Sequence, residues 1–237
     1  MGSLLLRGMI AGLIAGILAF GFAKVFGEPQ VDRAIGFEEQ VAKAKGEPEE
    51  PEIVSRDVQA SIGLFTGVAV VGTAMGGLFA LAFAFVNGRV THLSPRTTTV
   101  IIALLGFIAI YLVPNLKYPA NPPSVGSPDT IGYRTQLYFG MIVFSLAALA
   151  IAISAARQFA TNLGAWNGAS IGIGIYIVLT SLAGYMLPSI NEVPEGFPAD
   201  LLWKFRVASF GIQTILWAAM GIIFGILLER LSAKPAR

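Results

Sequence analysis

The chain of 237 residues is strongly apolar, since 55% of its residues are hydrophobic and only 13% are charged. Ordinary soluble domains carry about 25% charged residues, so a water-exposed fold of this composition would leave too much apolar surface uncovered. The net charge of +2 is too small to indicate a nucleic-acid partner, and the absence of cysteine excludes disulfides and thiolate metal sites. These properties predict an integral protein of the lipid bilayer.

Apolar stretches long enough to cross a bilayer recur along the chain, each near the roughly 20 residues that a spanning helix needs. We expect an all-α, polytopic membrane protein with six transmembrane helices arranged as three hairpins, and residues 1–237 to form a single transmembrane domain. The predicted spans are 4–26, 59–86, 98–116, 135–157, 166–187 and 205–228. The hairpin connections, which we call the outer loops, are 27–58, 117–134 and 188–204.

The first stretch also has the features of a cleaved signal peptide, because Arg7 precedes an apolar run that ends in small residues. Glycines at positions 8, 12 and 16 favour a retained span, since this spacing lets two helix backbones approach closely. The same packing role is predicted for four further glycine pairs, at positions 63 and 67, 72 and 76, 168 and 172, and 221 and 225.

Local signals mark several helix ends. Ser94-Pro95 and Ser127-Pro128 each predict an N-cap followed by proline in the first turn. Trp166 and Trp203 fall at span ends, where amphipathic rings favour the membrane interface. In the first outer loop we predict a short amphipathic helix over residues 31–45 and a flexible acidic linker over residues 46–51.

The distribution of charge predicts the orientation. Short loops and tails on one side are almost purely basic, with Glu229 as their acidic residue, which is typical of the cytoplasmic face. We therefore expect both termini in the cytoplasm of a bacterial cell and the outer loops on the other side of its inner membrane. The basic residues of the cytoplasmic side are Arg7, Arg89, Arg96, Arg157, Arg230, Lys234 and Arg237.

The second and third outer loops resemble each other. YLVP at 111–114, PAN at 119–121 and Tyr133-Arg134 correspond to YMLP at 185–188, PAD at 198–200 and Phe205-Arg206. This indicates parallel repetition of hairpins about an axis along the membrane normal, a design found in transporters. The first hairpin matches only weakly.

Oxygen ligands cluster in the outer loops and form a candidate outer-face cation site. A negatively charged mouth would concentrate cations before entry, although the carboxylates could instead be a solvated face that pairs with Arg56, Arg134 and Arg206. The candidate metal ligands are Glu28, Asp32, Asn121, Asp129, Asn191, Glu192, Glu195 and Asp200.

Soft ligands are scarce. Cobalt and nickel prefer imidazole, whereas oxygen suits hard cations, and the single histidine, His92, is predicted to be an ordinary loop residue on the inner side. Methionines in the spans are interpreted as packing residues. The glycines near position 170 lie in an apolar span without a lysine and form no P-loop. We predict no catalytic residues, no bound cofactor and no enzymatic activity.

Several loop motifs resemble those of the CbtA-type probable cobalt transporter subunits, and the similarity runs nearly from end to end. The matching stretches are FGEP at 26–29, SPRT at 94–97, YLVP at 111–114, KYPANPP at 117–123, DTIGYR at 129–134 and NEVPEGFPAD at 191–200. The resemblance implies an inner-membrane component of cobalt uptake linked to cobalamin synthesis, with cobalt as the transported substrate. It also implies a small single-span CbtB-like partner that bears histidines.

Two other functions remain open at this point. A non-transporting membrane scaffold that stabilises a partner would use the same packing glycines and structured loops. A transporter of an organic, cobalamin-related precursor would use the outer arginines to contact anionic groups.

Overall fold

A computed structural model describes residues 1–46 and 53–232 of the chain, with side chains described as far as residue 229. The described residues are predominantly α-helical, which confirms the all-α prediction. Within the described residues, five helices are long and apolar enough to cross a membrane. They are α1 (Gly2–Lys45), α2 (Arg56–Val86), α3 (Pro95–Lys117), α4 (Pro128–Met186) and α5 (Ala199–Ser232). Short π-helical turns interrupt α1 at Ala23–Gly27, α2 at Gln59–Gly63 and α3 at Phe107–Leu112.

Helix α4 covers two predicted spans and contains one non-helical residue, Gly164, at φ +83° and ψ 160°. Residues 158–165, between these two predicted spans, are helical except for Gly164, which makes the turn. The hydroxyls of Ser145 and Tyr176 lie 2.7 Å apart, whereas a straight helix would separate residues 31 positions apart by about 46 Å. The two arms of α4 thus fold back on each other.

Helix α1 continues without a break from the first predicted span into the predicted outer loop, as far as Lys45. Proline clashes with the carbonyl four residues earlier in a regular α-helix, but Pro29 directly follows the π-turn Ala23–Gly27 and the chain stays helical. The predicted amphipathic helix is confirmed, although it begins at Glu28 and is continuous with α1. Gly46 ends it in the left-handed conformation, and the predicted acidic linker beyond it lies outside the described residues.

Contacts divide the chain into two compact units. The first comprises the described parts of Met1–Phe107, Asn121–Ser124 and Glu195–Arg237, and the second comprises Ile108–Ala120 and Val125–Pro194. The first unit therefore contains α1, α2, most of α3 and α5. The second contains the last turns of α3 and both arms of α4.

Glycines allow the helices of the first unit to touch. A Cβ atom on Gly12 would collide with the carbonyl oxygen of Gly72 and the backbone of Gly76, and Gly8 faces Gly76 in the same way. Because backbone meets backbone here, the predicted packing role of these residues is confirmed. The role was wrong for Gly67, because no described residue would lie within 4 Å of a Cβ atom added there.

The other predicted glycine pairs also lie at contacts. In the first unit, Gly221 and Gly225 face Ala103 and Thr99 of α3. In the second unit, Gly168 and Gly172 face the opposite arm of α4, at residues 152–160. These positions confirm the sequence-based interpretation of most span glycines as packing residues.

The two predicted serine N-caps are confirmed. The hydroxyl of Ser94 accepts a hydrogen bond from the N–H of Thr97 at 3.2 Å. The hydroxyl of Ser127 accepts one from the N–H of Asp129 at 3.3 Å. The repeated YxxP motifs differ in structure, however, because the first lies within α3 and the second straddles the end of α4.

Candidate outer-face cation site

The predicted site residues are shared between the two units. Glu28, Asp32, Asn121, Glu195 and Asp200 belong to the first unit. Asp129, Asn191 and Glu192 belong to the second.

Glu28 and Asp32 lie one helical turn apart on α1 and both bind Arg56 at the start of α2. The Nη2 atom of Arg56 donates to Glu28, and its Nε atom donates to Asp32 Oδ1 at 2.8 Å. Glu28 is 9% exposed, while the Asp32 carboxylate is more than half exposed. Two carboxylates share one guanidinium, so this group carries a net charge of −1.

Lys24 lies one helical turn before Glu28 on α1. The ammonium group of Lys24, in the π-turn of α1, donates to the carbonyl oxygen of Ala60 at 3.0 Å. Ala60 belongs to the π-turn of α2, where the widened helix alters the backbone hydrogen bonding. The π-turns of the two helices are therefore joined directly beside the Glu28–Arg56 ion pair.

Asp200 lies in the first turn of α5 and forms ion pairs with two basic side chains. Its Oδ2 atom lies 3.2 Å from Arg33 Nη2 and 3.3 Å from Lys204 Nζ. Asn121, in the part of the second outer loop that belongs to the first unit, accepts a hydrogen bond from Arg206 at 3.0 Å. Glu195 is exposed. In the first unit, the predicted oxygen ligands thus separate into different polar contacts.

Glu192 holds the loops of the second unit together. Its Oε2 atom accepts hydrogen bonds from the N–H of Ser127 at 2.8 Å and from the hydroxyl of Thr130 at 2.9 Å. Arg134 Nε lies 3.4 Å from the same oxygen. The Ser127 N–H, the Thr130 hydroxyl and the Arg134 charge hold the pKa of Glu192 below its usual range. Asp129 and Asn191 are exposed.

The geometry supports the alternative in which basic residues pair with the outer carboxylates. Nowhere in residues 1–46 and 53–232 do three or more His, Asp or Glu side chains come together as a metal site. His92 is exposed in the loop between α2 and α3. Arg33 and Lys204 were not predicted as partners of Asp200, although the four-residue spacing of Asp200 and Lys204 is that of a recognised helical pair.

The fold and these loops define the class: an α-helical membrane protein with long apolar helices and ion-paired loops. A family model described as "Probable cobalt transporter subunit (CbtA)" matches residues 1–229. The chain belongs to this family, and a transporter subunit is not an enzyme. Comparisons with curated proteins and with solved structures found no match.

Proposed function

We propose that this protein is the multi-span subunit of a cobalt uptake transporter in the inner membrane of a bacterium. The observation that carries the proposal is the family match over residues 1–229. The membrane helices supply the scaffold of a path for a divalent cation. A membrane potential would drive entry, since two charges gain about 4.6 kcal/mol per 100 mV, twice the value for one charge.

The proposed topology has six spans arranged as three hairpins in one transmembrane domain, with both termini in the cytoplasm. The turn at Gly164 supports it, because the two arms of α4 pack against each other from Gly168–Ala160 to Tyr176–Ser145. Each arm corresponds to one predicted span of about 22 residues. At 1.5 Å per residue such an arm measures about 33 Å, which matches a hydrocarbon core of about 30 Å.

In this proposal the protein and its partner supply different kinds of metal ligand. The chain has no cysteine and one histidine, whereas cobalt favours imidazole ligands. We propose that a small single-span CbtB-like subunit provides the histidines. The family description as a transporter subunit supports the existence of a partner.

We further propose that the outer carboxylates attract the cation before it enters. The Glu28–Asp32–Arg56 group supports this role, because it keeps a net negative charge and Asp32 is more than half exposed. Exposed ion pairs are worth about 0–1 kcal/mol, so an incoming divalent cation can compete for the exposed Asp32 oxygens, whereas Glu28 is buried. Asp129 and Asn191 are exposed and add oxygen atoms in the second unit.

Metal accumulation in cells with and without the gene tests the function. We expect the gene, expressed with its partner, to raise cobalt accumulation more than that of nickel or magnesium. Glu28→Gln, Asp129→Asn and Glu192→Gln should each lower uptake, and Glu229→Gln on the predicted inner side is the matched control. Unchanged uptake in the three outer variants would refute the proposed outer cation site without contradicting the proposed transport function. Accumulation that is independent of the gene would refute transport itself.

A membrane scaffold is the second candidate, and the ion pairing favours it. Glu28, Asp200 and Glu192 all bind basic side chains, which is what loop-stabilising residues do. Reconstitution in vesicles separates the two functions. A scaffold leaves vesicles impermeable to cobalt with or without the partner, whereas a transporter subunit gives uptake when both chains are present. Competition by corrinoids would indicate the organic-precursor alternative.

A further inference from the structure

A groove on the first unit lies between residues 22–30 of α1 and residues 203–208 of α5. It has a volume of about 210 Å³. Phe22 and Val207 line one end of the groove, and Phe26 and Trp203 line its middle. Gln30 lines the opposite end, which we call the rim. Eight residues of helix rise about 12 Å, so the lining changes from apolar to polar over that distance along α1.

The aromatic side chains of the groove are exposed, as is typical of aromatic residues at a membrane interface. Trp203 is 69% exposed and Phe26 is 54% exposed. The rings of Phe22 and Phe26 lie 4.6 Å apart and form one continuous wall. Tryptophan at the end of a membrane helix favours the level of lipid headgroups, which places the apolar end of the groove beside acyl chains.

The polar rim carries positive charge. Lys204 lines the groove and lies 3.3 Å from Asp200, which also binds Arg33 at 3.2 Å. Arg33 in turn donates to Gln30 Oε1 at 3.2 Å. Two basic side chains share one carboxylate, so the cluster of Arg33, Asp200 and Lys204 has a net charge of +1, and Lys204 brings this cluster to the groove. This charge suits a phosphodiester and opposes a metal cation.

We propose that the groove binds one anionic phospholipid, with its phosphate at Lys204 and Gln30 and an acyl chain along Phe22, Phe26 and Val207. Charge complementarity favours an anionic lipid over a zwitterionic one, because the cation of a zwitterionic headgroup is repelled by the net positive cluster and offsets part of the attraction of its phosphate. The proposal requires only a membrane location and is independent of cobalt transport.

Native mass spectrometry of the purified full-length protein tests this site, with phosphatidylglycerol and phosphatidylcholine offered in equal amounts. We expect the protein to retain phosphatidylglycerol preferentially, and Lys204→Gln to reduce that preference about fivefold, the effect of one basic residue near an anionic surface. Lys204→Arg should keep the preference. Lys117→Gln, at the end of α3, is the matched control.

Tryptophan fluorescence locates the lipid. Brominated phosphatidylglycerol should quench more than brominated phosphatidylcholine, and the difference should disappear in Trp203→Phe. Equal retention of both lipids by the unaltered protein would overturn the proposal, as would an unchanged preference in Lys204→Gln or an equal loss in Lys117→Gln. Displacement of the lipid by inorganic phosphate would also overturn it, because the groove would then be a phosphate site.

Discussion

Glu192 and Arg134 meet in the second unit, where Oε2 of the glutamate lies 3.4 Å from Nε of the arginine. The arginine also donates through Nη2 to the carbonyl oxygen of Ser127 at 3.1 Å. The side chain of Glu192 reaches the N–H of Ser127, so both charged residues bind the turn before α4. This pair joins residues from two outer loops that resemble each other in sequence.

We predict that Glu192→Gln destabilises the protein at neutral pH and that the difference from the unaltered protein shrinks in acid. The folded-state pKa of Glu192 is depressed, so its contribution is complete above the unfolded value of about 4.3 and is lost as the pH falls through the lower folded value. Thermal unfolding in detergent at neutral and at acidic pH measures the difference in stability between the two proteins.

The control for that experiment is Glu195→Gln, since Glu195 is an exposed glutamate on the same loop. Its unfolding temperature should follow that of the unaltered protein at every pH. An equal effect of both substitutions would show that loop charge in general, rather than the bonds of Glu192, sets the stability.

We predict that Gly12→Ala separates α1 from α2 and destabilises the protein by about 1–3 kcal/mol, the usual cost of overpacking. The added methyl would meet the Gly72 carbonyl oxygen and the Gly76 backbone, neither of which can rotate away. Gly21→Ala on the same helix is the matched control, because nothing lies within 4 Å of its added carbon. Thermal unfolding compares the two, and equal midpoints would contradict the close contact.

We predict that Gly164→Ala strains the turn between the arms of α4 by about 1–3 kcal/mol, because φ +83° with ψ 160° is a glycine conformation. The helical Gly174, which has open space around it, provides the control Gly174→Ala. Limited proteolysis near residue 164 should be faster in the first variant only. Identical cleavage of both variants would indicate that the turn does not depend on glycine.

The outcome for the span glycines shows what spacing can predict. Four-residue spacing identified Gly8, Gly12 and Gly76 as contact positions, because a helix places such residues on one face. The same rule was wrong for Gly67, since spacing identifies a face but cannot say whether another helix covers it. A contact partner is a property of the tertiary fold.

The length of α1 and the turn in α4 were harder to predict for a different reason. The first predicted span ends at residue 26, but the helix continues past Pro29, which directly follows a π-turn. Residues 158–165 contain polar side chains typical of a loop, yet Gly164 alone reverses the chain. Both results depend on local backbone geometry that hydropathy does not encode.

The candidate site shows a similar limit. The sequence raised Arg56 and Arg134 as possible ion-pair partners of the candidate carboxylates, and the structure pairs them with Glu28 and Glu192. It did not predict that Arg33 would bind Asp200, because these residues are 167 positions apart. Long-range pairing of charges follows from how the helices pack and leaves no periodic signal.

The proposed topology predicts opposite accessibility for single cysteines, which can be introduced cleanly because the chain has none. Gln40→Cys and Asn191→Cys should react with a membrane-impermeant maleimide in intact spheroplasts. His92→Cys and Gln158→Cys should react only after permeabilisation. All four positions are exposed, so a difference reports the side of the membrane rather than burial. Labelling of residues 158 and 191 from the same side would refute two crossings by α4. The reverse pattern at all four positions would place the acidic loops in the cytoplasm, where they could not gather cations for uptake.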